Sequence, residues 1–241
     1  PIQRKIVITD TPELMPADWK TCVPPSFCTR LLHDRHAAFW QQLALLPEKD
    51  VVLITDSRDV VFQRDPFSFY DHVNMPVLLC LEGMRHDQSP WNMAEQKRYQ
   101  EGMHLAMPLQ NEMVINGGVM MGPAGKLREL CMSLWLASLH VRYCTDQPIL
   151  NFIARLWPEN FKFVGPDVSF CVIGEGVKEG FVTVEERDGV VTNCVGTTYY
   201  IVHQWDRLRE HKAISERYLR EFDQVQVRPG QELPVLRAGR D

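Results

Sequence analysis

Short runs of Val, Ile and Leu alternate along the chain with longer segments in which apolar residues recur at helical spacing. This alternation is typical of an α/β domain in which helices cover a largely parallel sheet. The apolar runs predict strands at Ile6–Thr9, Val51–Thr55, Val77–Leu81, Val114–Met121, Phe161–Val164 and Tyr200–His203. The periodic segments predict helices at Arg30–Leu46, Gly125–His140 and Gln147–Leu156.

Two segments depart from this alternation. Between residues 181 and 194, two β-rich stretches flank Asp188-Gly189, a dipeptide that favours tight turns, so a small antiparallel hairpin is predicted there. Residues 82–112 are polar and rich in Met, and they predict an insertion over one rim of the sheet, with a helix near Ala94–Glu101.

The length of 241 residues suits one domain with a sizeable core, which we expect over residues 1–222 with a helix after Asp206. Residues 223–241 contain Pro229, Gly230 and Pro234 and are expected to form a loose tail. The seven cysteines form no C-x-x-C pair, so neither a zinc knuckle nor a disulfide framework is indicated.

Charge narrows the range of partners. The formal charge is −5 and the basic residues are scattered, so no nucleic acid is expected as a partner. An acidic protein that binds an anionic nucleotide needs local positive charge, either from a few arginines or from a bound divalent cation.

The chain contains no window near the roughly 18 to 20 apolar residues of a membrane span, and its start lacks the profile of a secretory signal. We therefore expect no transmembrane segment in this chain and a cytoplasmic protein, either free or peripheral at a membrane. Because the sequence begins at Pro1 without an initiator Met, we also expect one domain of a longer protein.

The most informative segment is the acidic turn after the apolar run Val51–Thr55. Ligands of open α/β sheets bind beyond the carboxyl ends of such strands, where Asp56 and Asp59 stand. Their carboxylates are hard oxygen ligands for Mg²⁺ or Mn²⁺, and a bound cation would bridge the protein to phosphate oxygens. The alternative is a capped turn with an ion pair to a nearby Arg. Asp65, before Pro66, is interpreted as a cap.

The block Asn116-Gly117-Gly118 interrupts an apolar strand with two residues that lack a Cβ atom. A ligand could approach such a backbone closely, and the Asn116 amide both donates and accepts hydrogen bonds. The alternative is a β-bulge without a ligand.

The block Asp146-Gln147-Pro148 is typical of a helix start, where capping alone would explain Asp146. In the functional interpretation both side chains are polar groups of a ligand-binding site.

His203 ends the last apolar run and is followed by Gln204-Trp205. An imidazole at a strand end can add one nitrogen ligand to a set of oxygens, and such mixed sites suit Mn²⁺ better than Ca²⁺. The alternative is a structural His in the core.

Four blocks in this order resemble GT-A-fold glycosyltransferases, especially the retaining, family 8-like galactosyl- and glucosyltransferases: Leu53–Asp59, Val114–Met121, Asp146–Asn151 and Val202-His203. The resemblance spans Val51 to His203 and implies a GT-A-like, Rossmann-like α/β fold, with a mixed, mostly parallel sheet flanked by helices and a small antiparallel hairpin. In such enzymes an acidic turn and a late His hold manganese against the nucleotide diphosphate, and a D-Q pair lies beside the anomeric carbon of the donor sugar. The resemblance implies that Asp146 accepts from donor-sugar hydroxyls and that the Gln147 oxygen lies near the anomeric carbon. A neutral amide is a poor nucleophile, so we favour attack by the acceptor on the same face over a covalent intermediate.

By this resemblance, the metal ligands are Asp56, Asp59 and His203, the substrate-binding residues are Arg35, Ser57, Asn116, Gly117 and Gly118, and the catalytic residues are Asp146 and Gln147. The implied partners are Mn²⁺ or Mg²⁺, a nucleotide-sugar donor with UDP favoured, and a glycan or glycolipid acceptor on the side of the 82–112 insertion. The D-x-x-D spacing departs from the family's D-x-D, since Ser57 stands where its first Asp is expected and Asp56 lies one residue early.

The resulting hypothesis is a metal-dependent hexosyltransferase that retains the anomeric configuration. A sugar-nucleotide pyrophosphorylase would need a Gly-rich phosphate loop, which does not precede Asp56. A phosphatase with a D-x-D nucleophile is disfavoured because Arg58 replaces the second Asp. A sugar-nucleotide-binding domain without turnover is the remaining alternative.

Overall fold

The computed structural model of this chain describes residues 6–8, 20–22, 31–57, 59–70, 76–141, 144–208, 212–214 and 216–217. The strands are β1 Ile6–Ile8, β2 Lys20–Cys22, β3 Val51–Thr55, β4 Val60–Phe62, β5 Val77–Arg85, β6 Met113–Pro123, β7 Phe161–Val164, β8 Cys171–Ile173, β9 Val184–Arg187, β10 Val190–Asn193 and β11 Ile201–His203. The longer helices are α1 Leu31–Leu43, α2 Pro90–Met103, α3 Ala124–Ser138, α4 Asp146–Leu156 and α5 Gly174–Lys178.

The largest sheet has the strand order β3-β6-β5-β7. Strand β6 runs antiparallel to both of its neighbours, whereas β5 and β7 are parallel. The mixed sheet expected from the sequence is confirmed, but parallel pairs do not predominate, because three pairs are parallel and four antiparallel among the described strands. An apolar run has the same composition in either direction, so the direction of β6 is not encoded in its pattern.

Both faces of this sheet are buried. Along β5 and β6, Leu79 and Met120 face one apolar cluster together with Leu127 and Ile149 of the helices. The adjacent residues Leu78 and Met121 belong to a second cluster on the opposite face, as the two-residue period of a strand requires. Helix α3 packs against both α1 and α4 over the first face.

A second sheet of order β4-β11-β8 carries the late strand β11 between an antiparallel and a parallel neighbour. Strands β9 and β10 form the predicted hairpin, which is confirmed. Its two turn residues, Asp188 and Gly189, have φ of 53° and 75°, a left-handed pair that suits the twist of a two-residue hairpin.

The predicted strands at Val51–Thr55 and Phe161–Val164 are confirmed without change, and the other four predicted strands and the predicted helices differ at their ends. Residues 82–85, expected in the insertion, instead complete β5, and α2 is longer than the predicted Ala94–Glu101 helix. Strands β2 and β8 and helix α5 were not predicted. The expected tail at 223–241 and much of the helix after Asp206 lie outside the described residues.

Two expectations about composition can be checked on the described residues. Cys80, Cys131, Cys144 and Cys171 are buried free thiols, and Cys194 is exposed and also free. Among the described helices, none has the length and apolar character needed to cross a membrane.

Candidate active site

Two strand ladders bring the acidic turn and the late His together. The ladder of β3 with β6 continues one residue past the strand, where Asp56 N donates to Gly118 O at 2.9 Å. The ladder of β4 with β11 sets His203 opposite Val60. Gln204 N also donates to Asp59 O at 2.7 Å, so the backbones of the two segments are joined next to the ligand side chains.

The three side chains predicted to bind a metal form one cluster. His203 Nε2 lies 3.3 Å from Asp56 Oδ2 and 3.6 Å from Asp59 Oδ1. One potential ligand atom from each residue lies within 4.8 Å of the other two. Two carboxylate oxygens and one imidazole nitrogen make a donor set that fits Mn²⁺ or Mg²⁺, so these residues suit the cation that the sequence implies.

Gly118 borders this cluster so closely that only glycine fits. A Cβ atom at Gly118 would lie 2.6 Å from Asp56 Oδ2 and 2.8 Å from His203 Nε2. At Gly117 the nearest atoms would be at 3.8 Å, an ordinary contact with Gln147. The two glycines therefore differ, since Gly118 makes room for the cluster and Gly117 has space for a side chain.

The opposite charges within the cluster shift the pKa values of His203 and Asp56 so that their charged forms are favoured. Burial acts to lower the pKa of His203, but the hydrogen bonds and charges of Asp56 and Asp59 outweigh it and raise that pKa to about 9. Burial would raise the pKa of Asp56, but the hydrogen bond with His203 and the charge of Arg35 lower it. In the absence of a cation the imidazole is therefore protonated at neutral pH, and it must release this proton to become a ligand.

Arg35 of α1 links the acidic turn to the start of α4. Its Nη1 donates to Asp56 Oδ1 at 2.6 Å, and its Nε and Nη2 donate to Asp146 Oδ2 at 3.0 and 2.6 Å. His36 Nε2 lies 2.8 Å from the same Asp146 oxygen. Arg35 therefore holds two of the predicted site residues in one ion-pair network.

Asp146 is the first residue of α4, and Thr145 precedes it as the cap position without a side-chain hydrogen bond. Burial would raise the pKa of Asp146, but the charge of Arg35 and the hydrogen bond with His36 hold it well below its ordinary range. Asp146 is thus an ionised, buried partner of Arg35 in place of a simple helix cap. Because Asp146 Oδ2 accepts all of these hydrogen bonds, a ligand hydroxyl would have to bind Asp146 Oδ1.

Gln147 and Asn116 meet the glycine pair through their amide oxygens. Gly117 N donates to Gln147 Oε1 at 3.0 Å, and Gly118 N donates to Asn116 Oδ1 at 2.8 Å. The amide nitrogens of Gln147 and Asn116 both donate to Glu82 Oε1, at 3.1 and 3.0 Å. The predicted sugar-binding block and the predicted Gln147 therefore lie in one hydrogen-bonded group.

Sequence reasoning missed three residues of this site, namely Glu82, Asn92 and His36. A signal existed for Glu82, because it is an acid that directly follows the apolar run Val77–Leu81. Asn92 and His36 gave no comparable signal, since nothing in their local pattern distinguishes them from other helix residues. The remaining predicted residue, Ser57, is exposed on the turn, and the adjacent Arg58 lies outside the described residues.

No protein-family model and no curated protein matches the chain. Among solved structures, an active-site mutant of LgtC gives a TM-score of 0.51 at 16% identity, covering 89% of this chain and 78% of that one. The galactosyltransferase LgtC in complex with donor and acceptor sugar analogs gives a TM-score of 0.49 at 17% identity, again covering 89% of this chain and 78% of that one. A glycosyltransferase involved in glycosylation of the major capsid of PBCV-1 gives a TM-score of 0.42 at 14% identity, covering 81% of this chain and 83% of that one. The similarity to the LgtC mutant confirms the expected GT-A-like fold.

Proposed function

We propose that this protein is a metal-dependent glycosyltransferase that moves a sugar from a nucleotide diphosphate, with UDP favoured, to a hydroxyl of a glycan or glycolipid. The observation that carries the proposal is the cluster of Asp56, Asp59 and His203 beside Gly118, where there is no room for a Cβ atom. The fold shared with the LgtC mutant, and the donor and acceptor sugar analogs bound by LgtC, support the same class of reaction.

Asp56, Asp59 and His203 would hold Mn²⁺ or Mg²⁺. When bound, the cation supplies Lewis acidity that offsets charge on the departing diphosphate. Arg35 orients Asp56 by a charged hydrogen bond to Oδ1, while Oδ2 of the same carboxylate faces His203. The protein's own contribution is therefore a preorganised set of ligands, fixed by backbone ladders and by an arginine.

We propose that the donor sugar lies against Asn116, Gly117 and Gly118, with Gln147 near its anomeric carbon. Gln147 is a neutral amide with both ends in hydrogen bonds, which makes it an unsuitable nucleophile. Same-face attack by the acceptor hydroxyl is therefore favoured over a covalent intermediate on Gln147 as the route by which we propose that configuration is retained. The Gln147 oxygen would stabilise positive charge that develops at the anomeric carbon.

We propose that the acceptor binds on the side of α2. This helix borders the site through Asn92, whose Oδ1 accepts from Gln147 Nε2 at 2.8 Å. The adjacent Trp91 is 53% exposed, a degree of exposure that suits an aromatic platform for a sugar ring.

The test is to incubate the protein with UDP-, GDP- and CMP-sugars in Mn²⁺ or EDTA and to measure nucleotide release. We expect release from one donor, lost in EDTA and in Asp59→Asn. Asp65→Asn is the matched control, because Asp65 caps a short helix by accepting from Phe67 N at 3.0 Å and is exposed. Tight nucleotide binding without release from any donor would instead establish a binding domain without turnover.

Retention can be tested without knowing the acceptor. During slow donor hydrolysis, ¹H NMR identifies the anomer that is released first. We expect the configuration of the donor, and initial release of the opposite anomer would contradict retention.

A further inference from the structure

Glu82 is a buried carboxylate surrounded by amide groups. Its side chain is 3% exposed and accepts hydrogen bonds from Asn116 and Gln147 at Oε1 and from Asn92 Nδ2 at Oε2, the last at 3.3 Å. The pairing of β5 with β6 becomes irregular after Leu79, and this irregular stretch contains Glu82. Burial raises the pKa of Glu82 against the effect of these hydrogen bonds.

The direction of the Gln147 and Asn116 amides can be assigned because each contacts a backbone group that can only donate. Gly117 N and Gly118 N are backbone donors, so the atoms that they contact on Gln147 and Asn116 must be the amide oxygens. The NH₂ groups of Gln147 and Asn116 then face Glu82. The Glu82 carboxylate accepts from both NH₂ groups. A side chain with an N–H or O–H group at this position would instead direct one hydrogen-bond donor at another.

Asn92 extends the same order. Its Oδ1 accepts from Gln147 Nε2 at 2.8 Å, and its Nδ2 donates to Glu82 and to Ser89 Oγ. One carboxylate thus accepts from three amides and stabilises the direction that the two backbone donors indicate. Through Gln147 and Asn116 this direction reaches the backbone of Gly117 and Gly118, and Gly118 lies against Asp56 and His203.

We propose that Glu82 is a positioning residue that fixes the Gln147 oxygen toward the donor-sugar site and holds the glycine pair against the metal-binding cluster. The inference deepens the proposed transferase function and rests on it. Glu82 acts through its neighbours, because it is buried behind the amides that would contact the sugar.

The experiment replaces the Glu82 carboxylate by an amide and then introduces a carboxylate at the neighbouring Asn92. Glu82→Gln keeps the size of the side chain but turns one acceptor into a donor, and the oxygen of its amide cannot satisfy all three neighbours. In the double variant, Glu82→Gln with Asn92→Asp, the new carboxylate accepts from the new amide, from Gln147 and from the Ser89 hydroxyl. The direction of Gln147 and Asn116 is then the same as in the wild type.

We expect Glu82→Gln to lower the rate of donor turnover by about 10- to 100-fold at saturating donor and Mn²⁺, since small displacements of reacting groups have effects of this size. The double variant should recover most of the rate. Unchanged turnover in the single variant would overturn the proposal, and so would a folded double variant that stays as slow as the single one.

A second readout is independent of catalysis. In ¹⁵N NMR spectra recorded without donor, the backbone amides of Gly117 and Gly118 should exchange with solvent faster in Glu82→Gln and return to the wild-type rate in the double variant. If the wild type turns over no donor but the amides follow this pattern, the transferase function fails while the positioning of the amides stands. If each of the two glycine amides exchanges at the same rate in the wild type, the single variant and the double variant, the positioning role is refuted.

Discussion

Gly118 lies so close to His203 that a Cβ atom on the glycine would stand 2.2 Å from Cε1 of the imidazole ring. Gly118→Ala should therefore displace the ring from Asp56 and reduce Mn²⁺ affinity at least about tenfold, since overpacking of this kind costs about 1–3 kcal/mol. Isothermal titration with Mn²⁺ measures the effect.

The neighbouring glycine provides the control. At Gly117 an added Cβ meets only ordinary contacts, so Gly117→Ala should bind Mn²⁺ as the wild type does and change stability by no more than about 1 kcal/mol. Equal Mn²⁺ affinity in both alanine variants would show that Gly118 does not shape the cation site.

Cation binding should release a proton from His203. Because its pKa is raised to about 9, the imidazole is protonated below that pH, and apparent Mn²⁺ affinity should rise roughly tenfold per pH unit between pH 6 and 8. Titration at pH 7 in buffers of different ionisation enthalpy should reveal about one proton released per ion. His203→Ala should bind Mn²⁺ more weakly and without this release, and a wild type that releases none would exclude the imidazole as a ligand.

Removing the arginine between the two acids should destabilise the fold. Arg35 is mostly buried and pairs with Asp56 and Asp146, so Arg35→Met leaves the buried Asp146 without its guanidinium partner and should cost about 3 kcal/mol or more. Urea denaturation at pH 7 measures the change. Arg128→Met is the matched control, because Arg128 pairs with the exposed Glu48 and its loss should cost less than about 1 kcal/mol. Similar losses in the two variants would contradict the structural role of Arg35.

Asp146 should contribute to stability in a pH-dependent manner. Its pKa in the folded protein is held below the ordinary 3.8, so its contribution is complete above about pH 5 and disappears as the pH falls through 3.8 toward the folded value. The stability advantage of the wild type over Asp146→Asn should therefore shrink between pH 5 and pH 3, as followed by urea denaturation. An advantage that stays constant over this range would show that Asp146 is not ionised in the folded protein.

Much of the fold could be predicted because its signals are local. The apolar run Val51–Thr55 and the turn at Asp188-Gly189 each contain their own structural information, and both elements formed where they were expected. The predicted ligands Asp56, Asp59 and His203 also lie together, because each stands at or beside the end of an apolar strand.

The rest depended on contacts between distant segments. The direction of β6 is set by its partners in the sheet, since its apolar pattern is the same in either direction. The position of Glu82 depends on an irregular strand pairing and on Asn92 from α2, neither of which has a sequence signature. Arg35 illustrates the same limit, because an arginine on a helix gives no indication of which carboxylates it will reach.

The placement of β11 between β4 and β8 has a consequence for biosynthesis. Among the described strands, β11 is the last to be translated, and it inserts between two strands that are already made. A nascent chain can therefore form the sheet of β3, β5, β6 and β7 long before it acquires the imidazole. A cation bound as proposed would gain its nitrogen ligand only after this late strand has left the ribosome, so complete metal coordination would follow the synthesis of the main sheet.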